Sequence, residues 1–377
     1  MSLWSLLSQF DDYVATELAP PGSAFPRLRA TNPDIYPHLR QLWIVLPIAV
    51  ALFVARIVFE RFFIRPLGVR LGISTKPTKR NEPNPALEAE YKKKKRMTPE
   101  RAADLTKKTD KTPEYIMTWF HRRRNADKPS KMVRFQEAVW RLIYYTTAFV
   151  WSVYILSGYP WLTDTDYCWI GYPEKQTLDP TIQWIYFIQL GFYMSLLFSQ
   201  FTDVKRKDFW EMFIHHVVTI FLVAFSYHAN FIRIGTLVLL VHDVSDIFLE
   251  GAKAFNYLKY QKLCDATFVV FAIVFFVARL FVYPRYVLKS AFWDVRALLN
   301  TEPFFGLWFF NILLWILQAL HVMWFITIFK MVISFASKGE VSGDDRSDSE
   351  AEEEDDTAHP AAPAPVKAIP AAKPVKH

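Results

Sequence analysis

Seven stretches of this chain are apolar enough to be read as membrane helices, since a spanning helix needs about 20 mostly apolar residues. They lie near 42–64, 137–158, 182–202, 209–228, 231–250, 266–288 and 304–335, with compact charged blocks between them. The third and seventh are the cleanest; 304–329 holds no Asp, Glu, Lys or Arg. The fourth and fifth break their apolar pattern with His and Asp. The pattern predicts an all-α membrane protein of about seven transmembrane helices. One leads, and six form a membrane domain enclosing a lipid-accessible cavity.

Composition agrees with that reading. Of 377 residues, 52% are hydrophobic and 17% aromatic, a load that soluble domains rarely carry. The net charge of +7 averages a very basic segment before residue 135 and an acidic one after 339. Two cysteines, Cys168 and Cys264, fall on opposite sides of the expected bilayer, so neither a disulfide framework nor a cysteine metal site is expected.

The asymmetry of Lys and Arg orients the chain. The densest basic clusters, Lys92 to Arg96 and Arg122 to Arg124, place 65–136 in the cytosol and the N-terminal 1–41 in the lumen. The loop 203–208, with Lys205, Arg206 and Lys207, then falls in the cytosol, as does 251–265. The loop 159–181 becomes lumenal and the C-terminus cytosolic. The expected divisions are 1–41, the first span 42–64, the basic segment 65–136, the membrane domain 137–336 and the tail 337–377. The tail is acidic and then rich in Pro and Ala; it cannot bury a core and is expected to be disordered. Within it Ser342, Ser347 and Ser349 precede acidic residues, a setting that suits phosphorylation.

Ionisable side chains inside a bilayer are costly, so each is a functional hypothesis. Here they gather in one place: His215 and His216 on the fourth span, and His242, Asp243 and Asp246 on the fifth, with Glu250 at its end. The turn between these spans centres near Asn230. Counting about 1.5 Å per residue from it puts the His pair and the two aspartates at one depth, roughly 10 Å below the cytosolic surface. Asp243, Asp246 and Glu250 share a helical face by their spacing. The two histidines are about 100° apart, so one of them is expected to face the carboxylates. An imidazole beside a carboxylate in a water-poor site can act as base or nucleophile. Interhelical hydrogen bonding, a metal site and a proton-coupled transporter are the other readings of such a cluster. No HxxxH or HxxHH cluster of a di-iron enzyme occurs, so no metal is expected. Arg279 on the sixth span either lines a channel or snorkels to the lumenal interface, and snorkelling is the expected state.

These residues carry a resemblance. The stretch 208–260, DFWEMFIHHVVTIFLVAFSYHANFIRIGTLVLLVHDVSDIFLEGAKAFNYLKY, is similar to the Lag1 motif of the ceramide synthases, inside the TRAM-LAG1-CLN8 domain. YPWLTD at 159–164 and VSGDDRSDSE in the tail fit as well, and the likeness runs from about Trp119 to Ser347. It implies transfer of a fatty acyl group from acyl-CoA, as co-substrate and without a cofactor, to the amine of a sphingoid base. It also implies catalytic roles for His215, His216, Asp243 and Asp246, residence in the endoplasmic reticulum, and pairing into homo- or hetero-dimers. Acyl-length preference in the family is associated with the loop between the last two spans, here 289–303. A non-catalytic lipid-binding or lipid-transporting relative of the same domain is the alternative.

The segment 76–134, ending in WFHRRRNADKP at 119–129, resembles the degenerate homeobox-like region of animal ceramide synthases. Arg122 stands where DNA-reading homeodomains place an adenine-pairing Asn, so membrane lipids or CoA phosphates, not nucleic acid, are the expected partners.

Overall fold

A computed structural model describes residues 3–32, 34–74, 83–127, 130–203, 208–300 and 302–338. Ser342, Ser347, Ser349, nearly all of the tail and the Lys205–Lys207 cluster lie outside the described residues. Among those described, all regular structure is helical. Helices α1 (Leu3–Leu18) and α2 (Phe25–Thr31) precede the long α3 (Leu39–Arg70). Three short helices follow: α4 (Pro85–Lys93), α5 (Pro99–Thr109) and α6 (Pro113–Asp127). The remainder is α7 (Lys131–Leu156), α8 (Pro180–Ser199), α9 (Phe209–His228), α10 (Ile232–Tyr257), α11 (Gln261–Leu299) and α12 (Phe305–Lys338).

Five helices, α3, α8, α9, α11 and α12, are long and apolar enough to cross a membrane. The 26-residue α7 and α10 have equal reach, about 39 Å. Their composition is more polar because both turn charged faces inward: Arg134 and Glu137 on α7, and Asp243, Glu250 and Lys253 on α10, are buried. The protein is a multi-pass membrane protein, and every span read from the hydropathy pattern falls on one of these helices.

The turn between α9 and α10 is as short as the pattern requires. Asn230 takes the left-handed conformation (φ 58°), which Asn adopts more readily than most residues, and its amide donates to the carbonyls of Pro173 and Gln176 at 3.1 and 2.8 Å. That pins the hairpin to the 159–181 loop.

The expected loop at 289–303 is corrected. α11 runs unbroken to Leu299, leaving only a short connection after Asn300. The helix passes through wide i→i+5 turns over Phe276–Leu288 and Ser290–Asp294, with Pro284 inside the first. Wider turns absorb a proline, whose missing N–H and ring would break a regular helix.

α4, α5 and α6 form a small unit around Leu87, Tyr91, Leu105, Ile116, Trp119 and Phe120. Proline opens each helix at its first position, where the missing N–H costs nothing. Asn84 and Thr98 cap the first two. Arg123 is committed to Glu88 (3.0 Å), Asp127 and the ring of Tyr91. Arg122 and Lys92–Arg96 remain exposed.

At the other end, α1 and α2 are stapled to the bundle through Asp11. Its carboxylate accepts from Arg29 (2.5 Å), the Leu39 backbone N–H (3.0 Å) and His38 (3.0 Å), and Arg29 also contacts His228 at 3.2 Å. Burial alone would raise the Asp11 pKa, but His38 and Arg29 outweigh it and hold it well below the ordinary 3.8. A depressed carboxylate stabilises the fold fully above that ordinary value, and the contribution fades as pH falls below it toward the folded value. Acidification below about pH 4 should therefore expose α1 and α2 to limited proteolysis. Asp11→Asn should expose them at neutral pH; equal protection of both proteins would refute the staple.

Candidate active site

His215 and His216 lie on α9 about two turns in from its Phe209 end, and both are buried. They line a chamber of about 1020 Å³, counted to its open mouth, together with Asp246 and Glu250 of α10 and Arg279 of α11. Arg141, Gln200, Asp203 and Lys253 line it as well. Depth matching across the Asn230 turn thus brings the His pair and Asp246 to one cavity. Asp243 is not on its wall: fully buried, it turns to α8 and accepts from Gln189 Nε2 at 2.5 Å.

Among the described residues no imidazole is hydrogen-bonded to Asp243 or Asp246. The expected His–carboxylate pairing is replaced by other partners. Asp246 Oδ1 accepts from Arg279 at 2.7 Å, and the same guanidinium nitrogen donates to the His242 carbonyl at 3.0 Å. Arg279 therefore does not snorkel. It is 4% exposed and lies over the Phe275 ring, because the half-buried carboxylate of Asp246 on the neighbouring α10 satisfies it better than the interface could.

His216 has an amide partner instead. Gln200 Nε2 donates to the Phe209 carbonyl at 2.8 Å, a group that can only accept. That orientation leaves Gln200 Oε1 facing His216 Nδ1 at 2.9 Å. An oxygen acceptor there requires the proton on Nδ1, so Nε2 carries the free lone pair. His215 stands edge-on to Trp324, ring centroids 5.3 Å apart, and its Nδ1 has no protein partner among the described residues.

A second chamber of about 640 Å³ abuts the first, the two sharing Tyr193 as wall. Its lining is almost wholly apolar, with Leu222, Val223, Leu314 and Leu317 on its sides and Trp169, Phe231 and Phe310 toward the Asn230 end. Thr219 and His242 line it as well, one turn from His215 and Asp246 of the first chamber respectively. His242 Nε2 and His321 Nε2 of α12 are 2.8 Å apart.

Sequence reasoning missed Gln189, Gln200, Arg141 and His321. A signal existed for all four, since an amide, an imidazole or a guanidinium inside an apolar span is itself a site hypothesis. His321 escaped because the last span was judged by its lack of Asp, Glu, Lys and Arg. The described residues contain no group of three or more metal-ligating side chains.

Comparison with known proteins gives a consistent picture. The TLC domain (TRAM_LAG1_CLN8) is matched over residues 134–330. Ceramide synthase 4 of Homo sapiens is 40% identical over 348 residues, covering 92% of this chain and 88% of the relative. Ceramide synthase 5 of Homo sapiens is 42% identical over 330 residues, 85% of this chain and 82% of the relative. Ceramide synthase 3 of Homo sapiens is 41% identical over 292 residues, 77% of this chain and 75% of the relative.

Proposed function

The chain belongs to the ceramide synthase family, and from that premise we propose how its residues move a fatty acyl group from acyl-CoA to the amine of a sphingoid base. The protein is a sphingosine N-acyltransferase; the His215-His216 pair is the proposed machinery. The observation that carries the proposal is the Gln200–His216 bond, which fixes one imidazole with its lone pair on Nε2 at the wall of a polar chamber.

His215 is the acyl acceptor. One ring nitrogen attacks the thioester carbonyl, the C–S bond breaks, and CoA thiolate leaves toward the chamber mouth. The amine of the sphingoid base then attacks the acyl carbon and loses a proton to His216 Nε2. The bond to His215 breaks, releasing the amide and the original imidazole. The proton on His216 passes to the departing thiolate or to water at the mouth. Such a base contributes about 10²- to 10⁴-fold when well placed. Asp246 and Arg279 line the same chamber, and its burial among the helices limits the water that can hydrolyse the acyl-imidazole. Asp243 acts at one remove, through Gln189 and the α8–α10 contact.

The apolar chamber suits the acyl tail, since burying each methylene is worth about 0.8 kcal/mol. Ala291 lines it near Trp169 and is 3% exposed. Ala291→Leu should shift the preferred acyl-CoA to shorter chains while leaving turnover of the shortest substrates unchanged. An acyl-CoA panel with ceramides weighed by mass spectrometry reads this directly; an unaltered profile would place the tail elsewhere.

The exposed basic residues 92–96 and Arg122 suit anionic headgroups of a cytosolic leaflet. Residence in the endoplasmic reticulum with a lumenal N-terminus and cytosolic C-terminus accords with that placement, and dimerisation is an expectation from the family. The decisive assay gives purified full-length protein sphinganine and acyl-CoA. Binding of both without ceramide formation would favour the lipid-binding alternative.

A further inference from the structure

Arg56 is a buried intramembrane charge that the acyl transfer above does not use. It sits on α3, outside the matched domain, and is 9% exposed. Its guanidinium forks onto Asp203, with distances of 2.9 and 3.2 Å to the two carboxylate oxygens, while Nε donates to Glu60 one turn on at 2.7 Å. A fork of this kind fixes orientation as well as distance, which a lysine cannot reproduce. Asp203 also accepts from Arg141 at 2.7 Å, and both Asp203 and Arg141 line the polar chamber.

Asp203 lies in the turn that closes α8. Its backbone N–H donates to the Ser199 carbonyl at 2.7 Å, and that of Thr202 to the same carbonyl at 2.9 Å. Gln200 sits inside this turn, its own N–H still bound to the Leu196 carbonyl at 2.9 Å. The residue clamped by Arg56 and the amide that sets the His216 tautomer therefore belong to one short hydrogen-bonded segment.

We infer that Arg56 is a positioning residue for acyl transfer: by clamping Asp203, the first membrane helix holds the 199–203 turn so that Gln200 keeps the His216 Nε2 lone pair directed into the chamber. The inference rests on the reading of His216 as base. It makes α3 a working part of the site rather than only a leading anchor. Simple helix docking is the competing account, and it has its own structural basis: α3 already packs so closely on α8 that a Cβ at Gly191 would lie 2.6 Å from Ile48 Cγ2.

The two accounts separate in steady-state kinetics of full-length protein in lipid nanodiscs, with sphinganine and acyl-CoA both varied. Arg56→Gln should lower kcat about 10- to 100-fold, the scale of a misplaced catalytic group, with both KM values nearly unchanged. The acid limb of its kcat–pH profile should move, because the His216 ring is no longer held. Arg56→Lys should recover part of the loss, since the charge stays and the fork goes. A docking role instead lowers the yield of folded protein while each folded molecule keeps its kcat and pH profile, and that result overturns the inference. If Arg56→Gln does not accumulate, Arg56→Lys and Gln200→Leu serve in its place: both must move the acid limb the same way, and an unmoved limb in either is equally fatal. His216→Ala, run alongside, keeps the failures apart. Full activity of that variant sinks the base assignment itself, whereas its inactivity beside unaffected Arg56 variants sinks only the role of Arg56.

Discussion

Protein carrying His215→Ala and His216→Ala together should form ceramide about 10²- to 10⁴-fold more slowly than the unaltered chain, with its fold intact. Both rings line the chamber, and His215 Nδ1 has no protein partner among the described residues, so trimming them removes the reacting groups while giving up the Trp324 contact and the Gln200 hydrogen bond. The single variants divide the roles. His215→Ala removes the proposed acyl acceptor, and no acylated peptide spanning α9 should be trapped from it by acid quench and mass spectrometry. His216→Ala leaves the acceptor and removes the base, so an acyl adduct should build up on His215 and turn over slowly. Because the two act as a unit, each single variant should cost nearly as much as the double. Ceramide formation at the normal rate by the double variant would end the proposed mechanism.

Arg279→Ala should destabilise the protein by at most about 3–5 kcal/mol, the cost of breaking a fully buried ion pair, because Asp246 faces the open chamber and keeps a side chain 20% exposed. Asp246 would keep a carboxylate in a largely buried position, and the His242 carbonyl would lose its donor as well. Arg279→Ala with Asp246→Ala should recover much of that loss, since neither charge then remains unpaired. Thermal unfolding in detergent, followed by tryptophan fluorescence across the four proteins of a double-mutant cycle, measures the coupling. Additive losses would mean that Asp246 and Arg279 do not depend on one another. Activity provides a separate reading, because Asp246→Asn keeps the shape and removes the charge. If the pair only braces the chamber wall, that substitution should affect stability more than kcat.

The spans were legible in the sequence because the bilayer imposes a length and a hydrophobicity on each helix separately. The shared depth of His215 and Asp246 was legible too: a tight turn at Asn230 and a fixed rise per residue convert sequence distance into height. Those are local rules. The end of α11 was not legible, since Lys289 and Arg296 read as a loop while wider turns carry the helix on to Leu299.

The sequence alone therefore determined where the membrane helices lie, which pair is antiparallel, and that the His pair and the two aspartates share one level. Only the tertiary structure decided who faces whom. Asp243 and Asp246 are three residues apart, yet one meets Gln189 of α8 and the other Arg279 of α11. His216 meets Gln200 rather than either carboxylate. Height along a helix follows from counting residues, but a side chain's partner depends on rotation about the axis and on which other helices pack there. That information resides in contacts between segments distant in the chain.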